Sequence, residues 1–183
     1  MEGAKGINMI LMYLNTGIRI LVGSILSGII IYLLILGILW VVNKRRGVKI
    51  KNSIAGLMLS IYMVALLRIT GITGIKFHFG FYNMNLIPFT DMSKGSILMI
   101  ILNLLLFVPY GTLIPIVFKK IKWNWKKVMM IGFVTTFSIE ALQLFGGRFA
   151  EIDDIIANTL GATLGFVLYS RVFIKCQKEK LLV

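Results

Sequence analysis

The sequence predicts an all-α integral membrane protein, a bundle of about five transmembrane helices. Three observations point there. Of its 183 residues, 58% are hydrophobic and only 15% charged, whereas soluble domains carry roughly 45–50% apolar and about 25% charged residues. Mean hydropathy is +0.90, and the apolar residues gather in runs close to the ~20 residues a helix needs to cross a hydrocarbon core of about 30 Å. The 20 Lys and Arg, which give a net charge of +13, sit in short clusters between those runs. That placement excludes a soluble nucleic-acid binder, because it is where topology signals and anionic-lipid contacts belong.

Residues 1–19, with Glu2 and Lys5, form an N-terminal segment apolar enough to lie along the interface; a further short span is the other reading. With few positive charges and no small-residue cleavage site before the apolar run, a removed signal peptide is not expected. The first span covers 20–42 without a charge, and the basic loop extends to 53. A four-helix membrane domain follows over 54–174. Its spans are 54–71, interrupted only by Arg68; 96–118, holding Asn103 and Pro109; 128–145, holding Glu140; and 155–174. Residues 175–183 are a basic tail.

Orientation comes from the loops. Residues 43–52 carry five Lys or Arg, residues 119–127 five more, and the tail from Arg171 four. A five-span path puts all three on one side, and short basic loops stay cytoplasmic. The C-terminus is therefore expected inside. Trp40, Trp123 and Trp125 flank the inner ends, as interfacial tryptophans do.

The polar residues inside the spans agree in depth. Counted from the outer ends at about 1.5 Å per residue, Arg68, Asn103, Glu140 and Asn158 all fall roughly 5–10 Å down. Glu140 and Gln143 are three apart and share a helix face. Asp154, Asn158, Gly161 and Gly165 step by four, three and four, so they form one stripe. Its upper part is polar, and its glycines let a neighbouring backbone approach closely. Arg148 stands in the turn beside Gly146 and Gly147, and Asp154 in the first turn of the fifth span, where the helix dipole favours a negative charge. A charge at membrane depth costs about 2.5–3.5 kcal/mol, so Glu140 is expected to pair with Arg68 or Arg148, protonate or line water. A purely structural interhelical network is the competing reading.

Residues 72–95 make an aromatic outer loop with Phe77, Phe79, Phe81, Tyr82 and Phe89, placed in the headgroup region or folded back as a lid. Its stretch from Asn85 to Phe89 should be extended before Pro88. Pro109 frees the carbonyl four residues back and predicts a kink, either opening space beneath Asn103 or serving packing alone. His78 is the only histidine and Cys176 the only cysteine. His-based zinc and triad chemistry and an internal disulfide are thereby excluded, and His78 reads as a surface residue.

"NLIPF" at 85–89, "NLLLFVPYG" at 103–111 and "SIEALQLFGGRFAEIDDIIANTLGATLG" at 138–165 together resemble the VanZ family of small bacterial membrane proteins, named after a teicoplanin-resistance accessory protein. The resemblance covers roughly residues 54 to 169, with the first span and both termini outside it. The last motif is the specific one: Glu140, Gln143, Arg148, Asp154, Asn158, Gly161 and Gly165 match it in order. Of the adjacent acids Asp153 and Asp154, the four-residue step to Asn158 favours Asp154. Asn85, Pro88, Asn103, Pro109 and Gly111 match the earlier motifs. The resemblance implies a multi-pass protein of the bacterial cell membrane, acting at its outer face on lipoglycopeptide binding or cell-wall precursors.

Two functions follow. In the first, an outward-facing polar pocket binds an anionic membrane lipid or a lipid-linked cell-wall precursor and lowers susceptibility to lipoglycopeptides such as teicoplanin. Arg68 and Arg148 would meet phosphate; Asn85, Asn103, Glu140, Gln143, Asp154 and Asn158 would complete the site; Pro109, Gly111, Gly161 and Gly165 would shape it. In the second, a membrane enzyme modifies a lipid headgroup with Glu140 as general base and Asp154 orienting it. A divalent cation enters only under that reading; otherwise neither metal nor cofactor is expected. The absence of a Ser or Cys nucleophile beside a His weighs against it, and the absence of an internal repeat weighs against a transporter.

Overall fold

A computed structural model describes residues 2–42, 50–76, 84–90 and 93–181. The basic segment 43–49 lies outside the described residues, as do His78, Phe77, Phe79, Phe81 and Tyr82. The chain divides into two compact units, residues 1–73 and 74–183. Five helices make up nearly all of it: α1 (Glu2–Val42), α2 (Ile50–Ile69), α3 (Lys94–Val117), α4 (Trp125–Phe145) and α5 (Ile152–Leu181). A 3-10 turn (Ile72–Gly74) and the short strands β1 (Met84–Asn85) and β2 (Ala150–Glu151) are the other elements among the described residues. It is an all-α membrane architecture.

In the first unit, α1 packs against α2. Residues 2–19, expected as a separate segment, instead run into the first span as one helix of 41 residues. No proline interrupts them, and each of Gly3, Gly6 and Gly17 costs a helix only about 1 kcal/mol. Its stretch Ile10–Ile38 is long and apolar enough to cross a membrane, whereas the apolar part of α2, Ile54–Ile69, is shorter. Those 16 residues reach about 24 Å as helix. Close to the end of α2, the Arg68 guanidinium donates to Ser27 Oγ at 2.9 Å.

The second unit holds three further helices able to cross a membrane, Lys94–Val117, Trp125–Phe145 and Ile152–Val172. Helices α3 and α4 start on local signals. Ser93 caps α3 and accepts from the Ser96 N–H. Asn124 caps α4 and accepts from the Lys127 N–H at 2.9 Å. Helix α4 ends where Gly147 turns left-handed at φ 72°. There the Gly147 N–H bonds the Leu144 carbonyl and the Arg148 N–H the Gln143 carbonyl, each at 3.0 Å. This is the Schellman arrangement, which asks for glycine at the left-handed position.

Helix α5 packs along both α3 and α4, which barely touch each other. The α3–α5 contact is made at glycine: any Cβ on Gly111, Gly161 or Gly165 would run into the carbonyls of Ala162, Leu104 and Val108 respectively. Leu104 with Gly161 and Val108 with Gly165 advance together by four, so these two helices run parallel. Helix α3 continues through both Pro109 and Pro115. Thr112 Oγ1 donates to the Val108 and Gly165 carbonyls at 3.0 Å each, which ties α3 to α5.

Candidate functional site

The α4–α5 register can be read from contacts. A Cβ on Gly132 would lie 2.8 Å from that of Ala162. One turn toward the α4 C-terminus, Asn158 Nδ2 donates to Thr136 Oγ1 at 2.8 Å. Residue numbers rise by four on α4 as they fall by four on α5, the mark of an antiparallel pair. The next rung sets Glu140 opposite Asp154, and Asp154 is near enough for its charge to act on Glu140. The third helix joins at this level, where Asn103 Nδ2 donates to Asp154 Oδ1 in a short hydrogen bond.

The rim above is built from loop and strand. β1 pairs with β2 in parallel, Met84 beside Ala150 and Asn85 beside Glu151. The Glu151 N–H, at the edge of this ladder, donates to Glu140 Oε2 at 3.2 Å. Asp153 accepts the Phe89 N–H on its two oxygens, at 3.0 and 3.2 Å. Phe89 needs such an anchor, because it holds a left-handed backbone at φ 58°, a conformation that non-glycine residues avoid by about 1–2 kcal/mol. Asn85 shapes the same turn: its Nδ2 donates to Thr90 Oγ1 at 2.8 Å and its Oδ1 accepts the Ile87 N–H at 3.4 Å.

The structure therefore brings Asn103, Glu140, Gln143, Asp154 and Asn158 to one end of the second unit, with Arg148 on the turn there. Arg148 is exposed, and its charge acts on both Glu140 and Asp154. Glu140, Gln143 and Asn158 are 4%, 8% and 3% exposed. Arg68 belongs to the first unit, with Ser27 as its partner. Asn85 reaches the rim through the β1–β2 ladder, with its side chain occupied by the turn. Gly111, Gly161 and Gly165 act as the expected close contacts, and Pro109 lies within α3. Sequence reasoning missed Thr136 and Asp153, which hold Asn158 and the Phe89 turn. It also missed the bond between Tyr110 Oη and Thr135 Oγ1, 2.7 Å long, which ties α3 to α4.

Beside this cluster lies a cavity of about 140 Å³, and Glu140 meets it alongside Met84, Leu86, Phe137, Leu144 and Ile155. Its walls are apolar apart from two glutamates, Glu140 and Glu151. Among the described residues, no group of three or more His, Cys, Asp or Glu is placed to hold a metal ion. The basic connection between α3 and α4, with Lys119, Lys120 and Lys122, is at the opposite end of the unit.

Comparison with known proteins adds two likenesses. The family model described as VanZ/LLP1 matches residues 29–174, so the match starts within α1, earlier than the resemblance read from the motifs. Protein VanZ of Enterococcus faecium is 34% identical over 87 residues, 48% of this chain and 52% of that protein. The chain thus spans about half the length of this curated relative. No solved structure matches.

Proposed function

The chain belongs to the VanZ/LLP1 family and is a multi-pass membrane protein; from that premise we propose that it binds the headgroup of a membrane lipid or lipid-linked cell-wall precursor at the polar end of its second unit. By occupying or withholding that molecule, it lowers susceptibility to lipoglycopeptides such as teicoplanin. The observation that carries this reading is Glu140, a carboxylate only 4% exposed that lies beside a largely apolar cavity. A polar cluster next to an apolar hollow suits an amphiphile. Arg148 offers the planar fork that grips phosphate, and Asn103 and Gln143 supply amides for sugar or peptide groups.

Topology supports an outward-facing site. The basic α3–α4 connection is the end that stays cytoplasmic under the positive-inside rule, and the polar cluster lies at the other end. The test is native mass spectrometry of the protein released from its own membranes. A lipid or lipid-linked adduct is expected on the parent chain, reduced in Arg148→Ala and Glu140→Ala. Loss of no adduct in either variant, with both eluting as folded protein, contradicts the reading.

A further inference from the structure

The headgroup-binding reading above leaves open which chemistry the deepest part of the site accepts. One atom there has an unmet need: Asn158 Oδ1 is buried and has no hydrogen-bond partner, while the amide's other end is committed to Thr136. A buried acceptor left unsatisfied is costly, so such an atom marks a place where a donor belongs. One turn outward on the same face of α5 is Asp154, with Glu140 opposite it across the α4–α5 register. Among the described residues, each of these carboxylates receives one hydrogen bond, from Asn103 and from the Glu151 N–H respectively. A carboxylate has about four lone-pair sites, so both retain acceptor capacity.

We propose that Glu140, Asp154 and the Asn158 amide oxygen together hold the ammonium group of an amine-bearing amphiphile, whose apolar part occupies the adjoining cavity. The argument is one of matching donors to acceptors. A primary ammonium offers three N–H donors and no acceptor; the site offers three acceptor oxygens, with the Asn158 amide nitrogen turned to Thr136. Charge points the same way. Glu140, Glu151, Asp153 and Asp154 gather at this end, and Arg148 lies at the rim on the turn after α4. A phosphate placed at the Glu140–Asp154 rung would sit against two carboxylates, with Arg148 outward on the turn, and a hydroxyl supplies a single donor. A zwitterionic headgroup satisfies both levels, with its phosphate outward at Arg148 and its amine inward. The largely apolar cavity reached by Glu140 takes the chain attached to that amine.

The test uses the purified full chain in detergent and three probes of equal chain length: dodecylammonium, dodecanol and dodecyl phosphate. Methylammonium is a chain-free fourth probe. Calorimetric titration should give saturable binding of dodecylammonium at least about tenfold tighter than of dodecanol or dodecyl phosphate, since a hydrogen bond to a charged group contributes about 1.5–3 kcal/mol. Methylammonium should bind far more weakly, which separates an amphiphile's headgroup from a free amine. Glu140→Gln, Asp154→Asn and Asn158→Leu should each weaken dodecylammonium by about tenfold, and Lys119→Ala should leave it unchanged. Equal binding of the three twelve-carbon probes, or methylammonium matching dodecylammonium, overturns the proposal without any variant having to fold. If an amine-free lipid such as phosphatidylglycerol is retained in a Glu140-dependent way while dodecylammonium shows no preference, the amine assignment fails and the headgroup reading stands. If no probe and no lipid responds to Glu140 or Arg148, both fail.

Discussion

Asp153, in the first turn of α5, accepts the backbone N–H of Phe89, 64 residues earlier, on both carboxylate oxygens. This bond pins the turn after β1 above the Glu140 cavity, and it holds Phe89 in a left-handed conformation. Asp153→Ala should therefore release the turn and lower stability by about 1.5–3 kcal/mol, the range for a hydrogen bond to a charged acceptor. Thermal unfolding in detergent, with limited proteolysis across residues 84–92, reads both effects. Asp153→Asn keeps one acceptor oxygen and should lose less than half as much.

Asn103 links α3 to a carboxylate of α5, donating to Asp154. Asn103→Leu leaves Asp154 without that donor and should cost about 1–3 kcal/mol. Asn103→Asp should be worse, because it sets a second acid against Asp154. The order Asn103 above Leu above Asp in unfolding temperature checks this.

The glycine contacts make a sharper prediction. Gly161→Ala and Gly165→Ala drive a methyl into carbonyls of α3, and each should destabilise by about 1–3 kcal/mol. Gly147→Ala should cost about 1–2 kcal/mol for a different reason, its positive φ. Gly37→Ala, with nothing within 4 Å of the added carbon, should be neutral or stabilising by up to about 1 kcal/mol. The same substitution thus gives two signs at positions that look alike in the sequence.

Thr136→Val removes the partner of Asn158 Nδ2 and leaves both ends of a buried amide unpaired. A loss of about 1–3 kcal/mol is expected, and Thr136→Ser should recover most of it. Comparing the two in one thermal-unfolding series separates the hydroxyl from its methyl group.

The spans were legible because a bilayer fixes the length of an apolar run, and the polar level was legible because helical spacing places Asp154, Asn158, Gly161 and Gly165 on one stripe. Counting residues gave Arg68, Asn103, Glu140 and Asn158 a common depth; the structure joins Asn103 to Asp154 and sets Glu140 opposite it, while Arg68 lies in the first unit with Ser27. Other relationships left little trace in the chain. Thr135 and Thr136 sit inside an apolar run where a hydroxyl barely lowers hydropathy, so their bonds to Tyr110 and Asn158 carried no signal. Asp153 acts on a backbone N–H, a partner with no side-chain signature. The β1–β2 ladder is two residues long, too short for any alternation to register. Residues 2–19 looked distinct because of their charges, yet a helix ends at a breaker, and none stands before Val42.

The central claim is that the polar end of the second unit confers protection at the membrane surface. Teicoplanin susceptibility of a deletion strain carrying the parent gene, Glu140→Ala, Arg148→Ala or Lys51→Ala, with membrane levels matched by immunoblot, tests it most directly. The account predicts that the parent and Lys51→Ala raise the inhibitory concentration equally, and that Glu140→Ala and Arg148→Ala return it to that of the empty strain. Full protection by both of those variants, present in the membrane at parental levels, would contradict it.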